Sequence, residues 1–231
     1  MNCETTELVN LCKETLDLSH AKLSDSYYYG SLPIALLDAI FSIGVRYTST
    51  KNTVDRYCTY YSLPKYRNRT TQPNAEDQHT ICDLIQNIEG EGIVQFSKKI
   101  LCNAQRTSTT NGILKGEAVY LCAKILQEQN INTLQDFNAS DLTKVEENFK
   151  GIPGQKSGKS FSYLKMLCGD ENTCKPDRHI INFVAPIMNG KPSDTDITMQ
   201  LHSACFSLQK EYPSINLRLL DHDIWKYMSS K

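Results

Sequence analysis

The apolar residues of this 231-residue chain recur at helical spacing, with almost no sign of strand spacing. Leu114, Ala118, Leu121, Cys122 and Ile125 fall on one helical face, because residues three and four apart stack on the same side of a 3.6-residue turn. Further stripes run through Leu8, Leu11, Cys12 and Leu16, through Leu36, Leu37, Ile40, Phe41 and Ile43, and through Ile93, Phe96, Ile100 and Leu101. Leu142, Val145 and Phe149 make another, as do Leu201, Cys205 and Leu208, and finally Leu219, Ile224, Trp225 and Tyr227. No stretch alternates apolar and polar residues over many positions, and β-branched clusters are thin, so strands are not expected. The pattern predicts an all-α fold of roughly ten short helices, each near the usual mean of about 11 residues. Polar stretches at Pro64–Pro73, Gln105–Gly112 and Gly190–Asp196 read as loops between them.

Length and composition narrow the classes. A chain of this size forms one large domain or two small ones. With 40% hydrophobic and 22% charged residues, it can bury a core without metals or disulfides. The nine cysteines include no C-x-x-C pair, no apolar leader stands at the N-terminus, and no apolar run reaches membrane-spanning length. The expectation is therefore free thiols acting as small apolar side chains in a reducing cytoplasm or nucleus, away from membranes. His202 and His222 have no ligand partners at usable spacing, so no metal is expected. The formal net charge of −1 gives no overall electrostatic signature for nucleic acid, although a local basic face would suffice for phosphate contacts.

The segment Phe149–Phe183 carries the most specific information. Gly158-Lys159-Ser160 superficially suggests a nucleotide-binding loop, but Pro153 stands where that motif needs glycine and no strand precedes it. A better reading is a helix ending near Phe149, a break at Ile152-Pro153-Gly154, and a second helix capped by Ser157 with Phe161, Leu164 and Leu167 on its apolar side. Such a hairpin presents backbone N–H groups at a helix N-terminus and can bind phosphate with little net charge; Lys156 and Lys159 flank it. Downstream, Lys175-Pro176-Asp177-Arg178-His179 places proline at a helix start and Asp177 in its first turn, where the helix dipole favours a carboxylate. An anionic carboxylate in a cleft would stabilise a developing sugar cation. Taken one at a time, an ordinary interhelical turn and an ordinary cap account better for these features.

Three blocks in order give a resemblance. Leu36–Tyr57, Ile113–Ala118 with its Lys115-Gly116-Glu117 core, and Ile152–Leu164 followed at the expected interval by Pro176-Asp177-Arg178-His179 resemble the helix-hairpin-helix–GPD superfamily of base-excision DNA glycosylases. The likeness covers roughly two thirds of the chain, from about Leu36 to Phe183. It implies two helical subdomains flanking a cleft: residues 1–35 with 166–231 in one, and 36–165 in the other, carrying the hairpin at about 145–168. It implies removal of a damaged, modified or mismatched base flipped out of double-stranded DNA, with Asp177 as the catalytic carboxylate. Ile152, Gly154, Lys156, Ser157, Gly158 and Lys159 would hold the DNA backbone. The protein would act as a monomer, with no cofactor beyond a monovalent cation at the hairpin.

Departures from the family pattern refine this expectation. Ungapped alignment places Gly158 where lyase-active members carry a lysine, which implies monofunctional hydrolysis; a one-residue gap would bring Lys159 there instead. Lys156 replaces the second hairpin glycine. Only Cys205 follows Asp177, so no iron–sulfur cluster is expected. Gly44 stands at the position of a duplex-wedging glutamine, leaving Arg46 and Tyr47 as wedge candidates or as plain surface residues. Gln105 and Arg106 sit in a polar loop that can face the DNA or only solvent. Tyr27-Tyr28-Tyr29 reads either as a base-stacking surface or as the half-buried start of a helix. His179 reads as a cap or as an orienting neighbour of Asp177, Glu117 as a partner for a nearby lysine, and Trp225 as a core anchor. Loss of chemistry with retention of DNA binding is the principal alternative.

Overall fold

The computed structural model describes residues 3–69 and 71–231. In chain order the helices are α1 (Cys3–Thr15), α2 (Leu32–Phe41), α3 (Tyr47–Tyr60), α4 (Ile81–Glu91), α5 (Ile93–Gln95), α6 (Lys115–Glu128), α7 (Leu134–Ala139), α8 (Thr143–Lys150), α9 (Lys159–Cys168), α10 (Arg178–Val184), α11 (Asp194–Leu208) and α12 (Leu217–Ser229). The fold is all-α. Among the described residues, extended pairing is limited to isolated bridges at Tyr29–Tyr66 and Arg106–Leu114. No helix there is long and apolar enough to cross a membrane. All nine cysteines are free.

The chain divides into two compact units, one of residues 25–169 and the other made of the segments before Asp25 and after Gly169. The first is organised on α2. Every residue from Leu32 to Phe41 is buried, and α2 packs against α3, α6 and α9. Pro33 in its first turn suits a helix start. Asp38 lies at 0% exposure inside this apolar helix and accepts a 2.6 Å hydrogen bond from the Tyr29 hydroxyl.

The C-terminus of α2 is closed by a buried lysine. Lys115, in the first turn of α6, donates its ammonium to the Phe41 carbonyl at 3.0 Å and the Ile43 carbonyl at 2.7 Å. Cations favour that end of a helix, where carbonyls lack internal partners. Beside Lys115, Gly116 lets α6 approach the π-helical turn Phe96–Ile100 so closely that a β-carbon would collide with the Ser97 hydroxyl.

Local chemistry fixes several other helix starts. Thr80 with Asp83, Thr133 with Asp136 and Ser193 with Asp196 form reciprocal capping boxes at α4, α7 and α11. The second unit packs α1 on α11 and α10 on α12, around Leu8, Ile180, Val184, Leu201, Leu220 and Ile224.

Several boundaries differ from the sequence expectation. α9 opens at Lys159, with Gly158 as its N-cap rather than Ser157. Gly158 takes φ +71°, which glycine adopts freely and serine does not. Asp177 is itself the N-cap of α10, so Pro176 lies outside the helix. The loop expected at Gly190–Asp196 yields its last residues to α11 because the Ser193 capping box starts that helix early. Of the tyrosine run, Tyr27 ends a 3₁₀ turn, while Tyr29 is a core residue stacked on Tyr66 at 5.6 Å. Trp225 is partly buried and stacks on His222 instead of anchoring the core.

Candidate functional site

Two structures carry the residues singled out from the sequence, one in each unit. The first is the turn between α8 and α9. Val145 and Phe149 of α8 are buried, and Phe149 meets Phe161 of α9 edge-on at 5.0 Å. Between the helices, turn bonds run from Gln155 N–H to the Ile152 carbonyl and from Gly158 N–H to the Gln155 carbonyl, both 2.9 Å. Gln155 is buried and bonded to the Ser160 hydroxyl. The turn is therefore pinned from inside by a polar pair the sequence reading passed over.

The candidate hairpin residues separate by exposure. Ile152 and Gly158 are buried and Lys159 is partly covered, whereas Gly154, Lys156 and Ser157 are exposed. Lys150, also missed, adds a third cation near the turn beside Lys156 and Lys159; it pairs with Glu146 at 2.6 Å. A β-carbon on Gly158 would come within 3.1 Å of the Lys150 side chain.

Gly154 has φ +86°, and a β-carbon there would lie 2.7 Å from the Thr107 hydroxyl and closer still to its methine carbon. The 105–112 loop thus rests on the turn. Gly154→Ala is expected to destabilise the protein by about 1–3 kcal/mol, because it combines an unfavourable backbone angle with a collision. Denaturant unfolding with an unchanged midpoint would contradict this turn geometry.

Arg106 serves its own loop, whereas the Gln105 side-chain amide reaches Ser49 Oγ of α3 at 3.5 Å. The Gln105 amide N–H donates to Asn103 Oδ1 at 3.0 Å, and Arg106 Nε donates to the Gly112 carbonyl at 2.7 Å. Arg46 is exposed at the N-cap of α3. Tyr47 is partly buried, and its phenol is pushed up by burial and by nearby Asp38. Arg46 and Tyr47 therefore sit in different environments, and only Arg46 projects as a free-standing surface cation.

The second structure surrounds Asp177. Its Oδ1 accepts the His179 amide at 2.8 Å and the Ile180 amide at 3.2 Å. One oxygen takes both bonds, so Oδ2 has no part in the cap. The carboxylate is partly exposed and anchored through that one oxygen. His179 turns its ring edge towards Trp225 at 6.3 Å, a packing role.

Asp221 of α12 lies 7% exposed beneath this segment and accepts the Lys175 amide at 2.8 Å. Burial pushes its carboxyl up to about 7, with the Asp177 charge adding to the effect. Asp223 is pushed up to about 6 by burial, and burial holds His222 down to about 4. Among the described residues, no group of three or more His, Cys, Asp or Glu is placed to hold a metal ion.

The family model for a domain of unknown function (DUF8548) matches residues 6–229. The chain belongs to that family. No curated protein and no solved structure matches it. Within this DUF8548 chain, Asp221 is the main site residue the sequence reading missed. A signal was available: Asp221 lies on the apolar face of α12 among Leu217, Leu220 and Ile224, where a carboxylate is seldom placed without a task.

The raised Asp221 value has a consequence for stability. The unfolded chain ionises this group first as pH rises. Its contribution is complete below about pH 4 and is lost as pH climbs towards 7. Asp223 acts in the same sense over a narrower window. His222 acts oppositely, contributing fully above pH 6.5 and losing that contribution as pH falls towards 4. Asp221→Asn is expected to flatten the decline in stability between pH 4 and 7 in thermal melts, and a slope equal to wild type would refute the assignment.

Proposed function

We propose that the protein is a DNA glycosylase of the helix-hairpin-helix type, which hydrolyses the N-glycosidic bond of a damaged, modified or mismatched base flipped out of double-stranded DNA. The observation that carries this reading is Asp177. It stands at a helix N-terminus, held by two backbone amides through one oxygen, at the interval from the α8–α9 turn that the sequence resemblance requires. A carboxylate fixed in this way stabilises positive charge on a sugar without needing to reorganise as the charge develops.

On this reading the glycosidic bond breaks with its electron pair leaving on the base. Water adds its oxygen to the sugar C1′, and Asp177 Oδ2 receives the proton that water gives up. The N-terminus of α9 and the exposed Lys156 are offered to a phosphate, with Lys159 beside them, while Lys150 is held by Glu146. Lys159 opens α9 as its first residue, and Gly158 occupies the ungapped position of a lyase lysine. That placement supports monofunctional hydrolysis. The test is a panel of labelled duplexes carrying uracil, alkylated purines, 8-oxoguanine, oxidised pyrimidines and mismatches. Strand breaks only after alkali treatment are expected on at least one of them. Breaks without alkali would place a lysine nucleophile in the site.

A second reading, a DNA-binding protein without chemistry, is favoured by one observation: Asp177 serves as the N-cap of α10, a structural role that needs no chemistry. It predicts duplex binding, weakened by changing Lys156, with no base release on any duplex.

A further inference from the structure

We propose that Asp221 is a positioning residue for Asp177, holding in place the irregular segment that presents it. This rests on the reading of Asp177 as the catalytic carboxylate. Between Gly169, which ends α9, and Asp177, which caps α10, the chain has no regular structure, yet Cys174 and Pro176 within it are buried. A stretch without helical hydrogen bonds must be located by other contacts, and α12 supplies two. Its Arg218 amide donates to the Glu171 carbonyl at 3.2 Å, and Asp221 Oδ1 accepts the Lys175 amide at 2.8 Å. The Asp177 amide in turn bonds the Lys175 carbonyl at 2.6 Å. The Lys175 peptide therefore links the buried Asp221 carboxyl directly to Asp177.

The burial of Asp221 is otherwise hard to account for. An unpaired acid on an apolar helix face is costly, and a leucine would pack there without that cost. The backbone amide explains it. Burial and the Asp177 charge both push the Asp221 carboxyl up to about 7, so this group changes protonation near neutrality. The titratable and charged groups that act on it are Cys174, Lys175 and Asp177, all on the segment. Ionised Asp221 holds the Lys175 amide more tightly but repels Asp177; neutral Asp221 does the reverse.

The test compares wild type with Asp221→Ala and Asp221→Asn, the latter keeping an oxygen able to accept the Lys175 amide. Hydrogen exchange at Lys175 and single-turnover base release are measured from pH 5 to 9 on a duplex the wild type cleaves. Slow exchange at Lys175 in wild type is expected to be lost in Asp221→Ala and largely restored in Asp221→Asn. The rate should fall about 10- to 100-fold in Asp221→Ala with duplex affinity unchanged. An inflection near pH 7 in the wild-type profile should vanish in Asp221→Asn. Base release unchanged in both variants would overturn the positioning role while leaving Asp177 as assigned. No base release by wild type would overturn both. Asp221→Asn keeps the proposal testable if Asp221→Ala does not fold.

Discussion

Asp177→Asn is expected to lower single-turnover base release by about 100- to 1,000-fold, the range seen when one preorganised electrostatic contact to a transition state is removed, while the melting temperature stays close to wild type. The contrast follows from the two roles of the side chain. As N-cap of α10 it needs only an oxygen acceptor for the His179 and Ile180 amides, and asparagine caps helices about as well as aspartate. As a partner for a sugar cation it needs the charge, which asparagine lacks. Asp177→Ala should lose both, melting with a stability deficit of about 1 kcal/mol and the same loss of rate. Equal rates in wild type and Asp177→Asn would remove Asp177 from the chemistry.

Lys115→Met should be among the most damaging single changes to stability, costing about 2–3 kcal/mol. The ammonium is 3% exposed and bonded to two carbonyls at the end of α2, and bonds to charged groups are worth more than neutral ones. Methionine preserves the apolar stem and much of the volume, so the deficit isolates the lost ammonium bonds and the carbonyls left buried. Because α2 packs on α3, α6 and α9, the effect should appear as a lower denaturant midpoint without a change in slope. A midpoint equal to wild type would mean that the α2 terminus is satisfied by other contacts.

The α-helical class was legible because the stripes led by Leu114–Ile125 and Leu36–Phe41 are long and periodic, and periodicity survives whatever the tertiary context. What local reading misplaced was decided by contacts distant in sequence or by backbone angles. Ser157 has the chemistry of a cap, but Gly158, in a left-handed conformation, takes that place. Tyr29 lies in a run that reads as a stacking surface or a half-buried helix start, and only Asp38 and Tyr66 show it fully covered. Asp177 stood out because proline, aspartate and histidine lie together in the chain. Asp221 did not, because its partner Lys175 is 46 residues away. Its placement on an apolar face was visible, but the amide that explains it required the fold.

The most direct test of the central claim is the product itself: free base released from a lesion-bearing duplex by wild-type protein and by Asp177→Asn, identified by mass spectrometry. The account predicts one identifiable base from wild type, an abasic strand broken only by alkali, and release at least about 100-fold slower from the variant. Release of no base across uracil, alkylated, oxidised and mismatched duplexes that the protein nonetheless binds would contradict the account and leave a DNA-binding helical protein in its place.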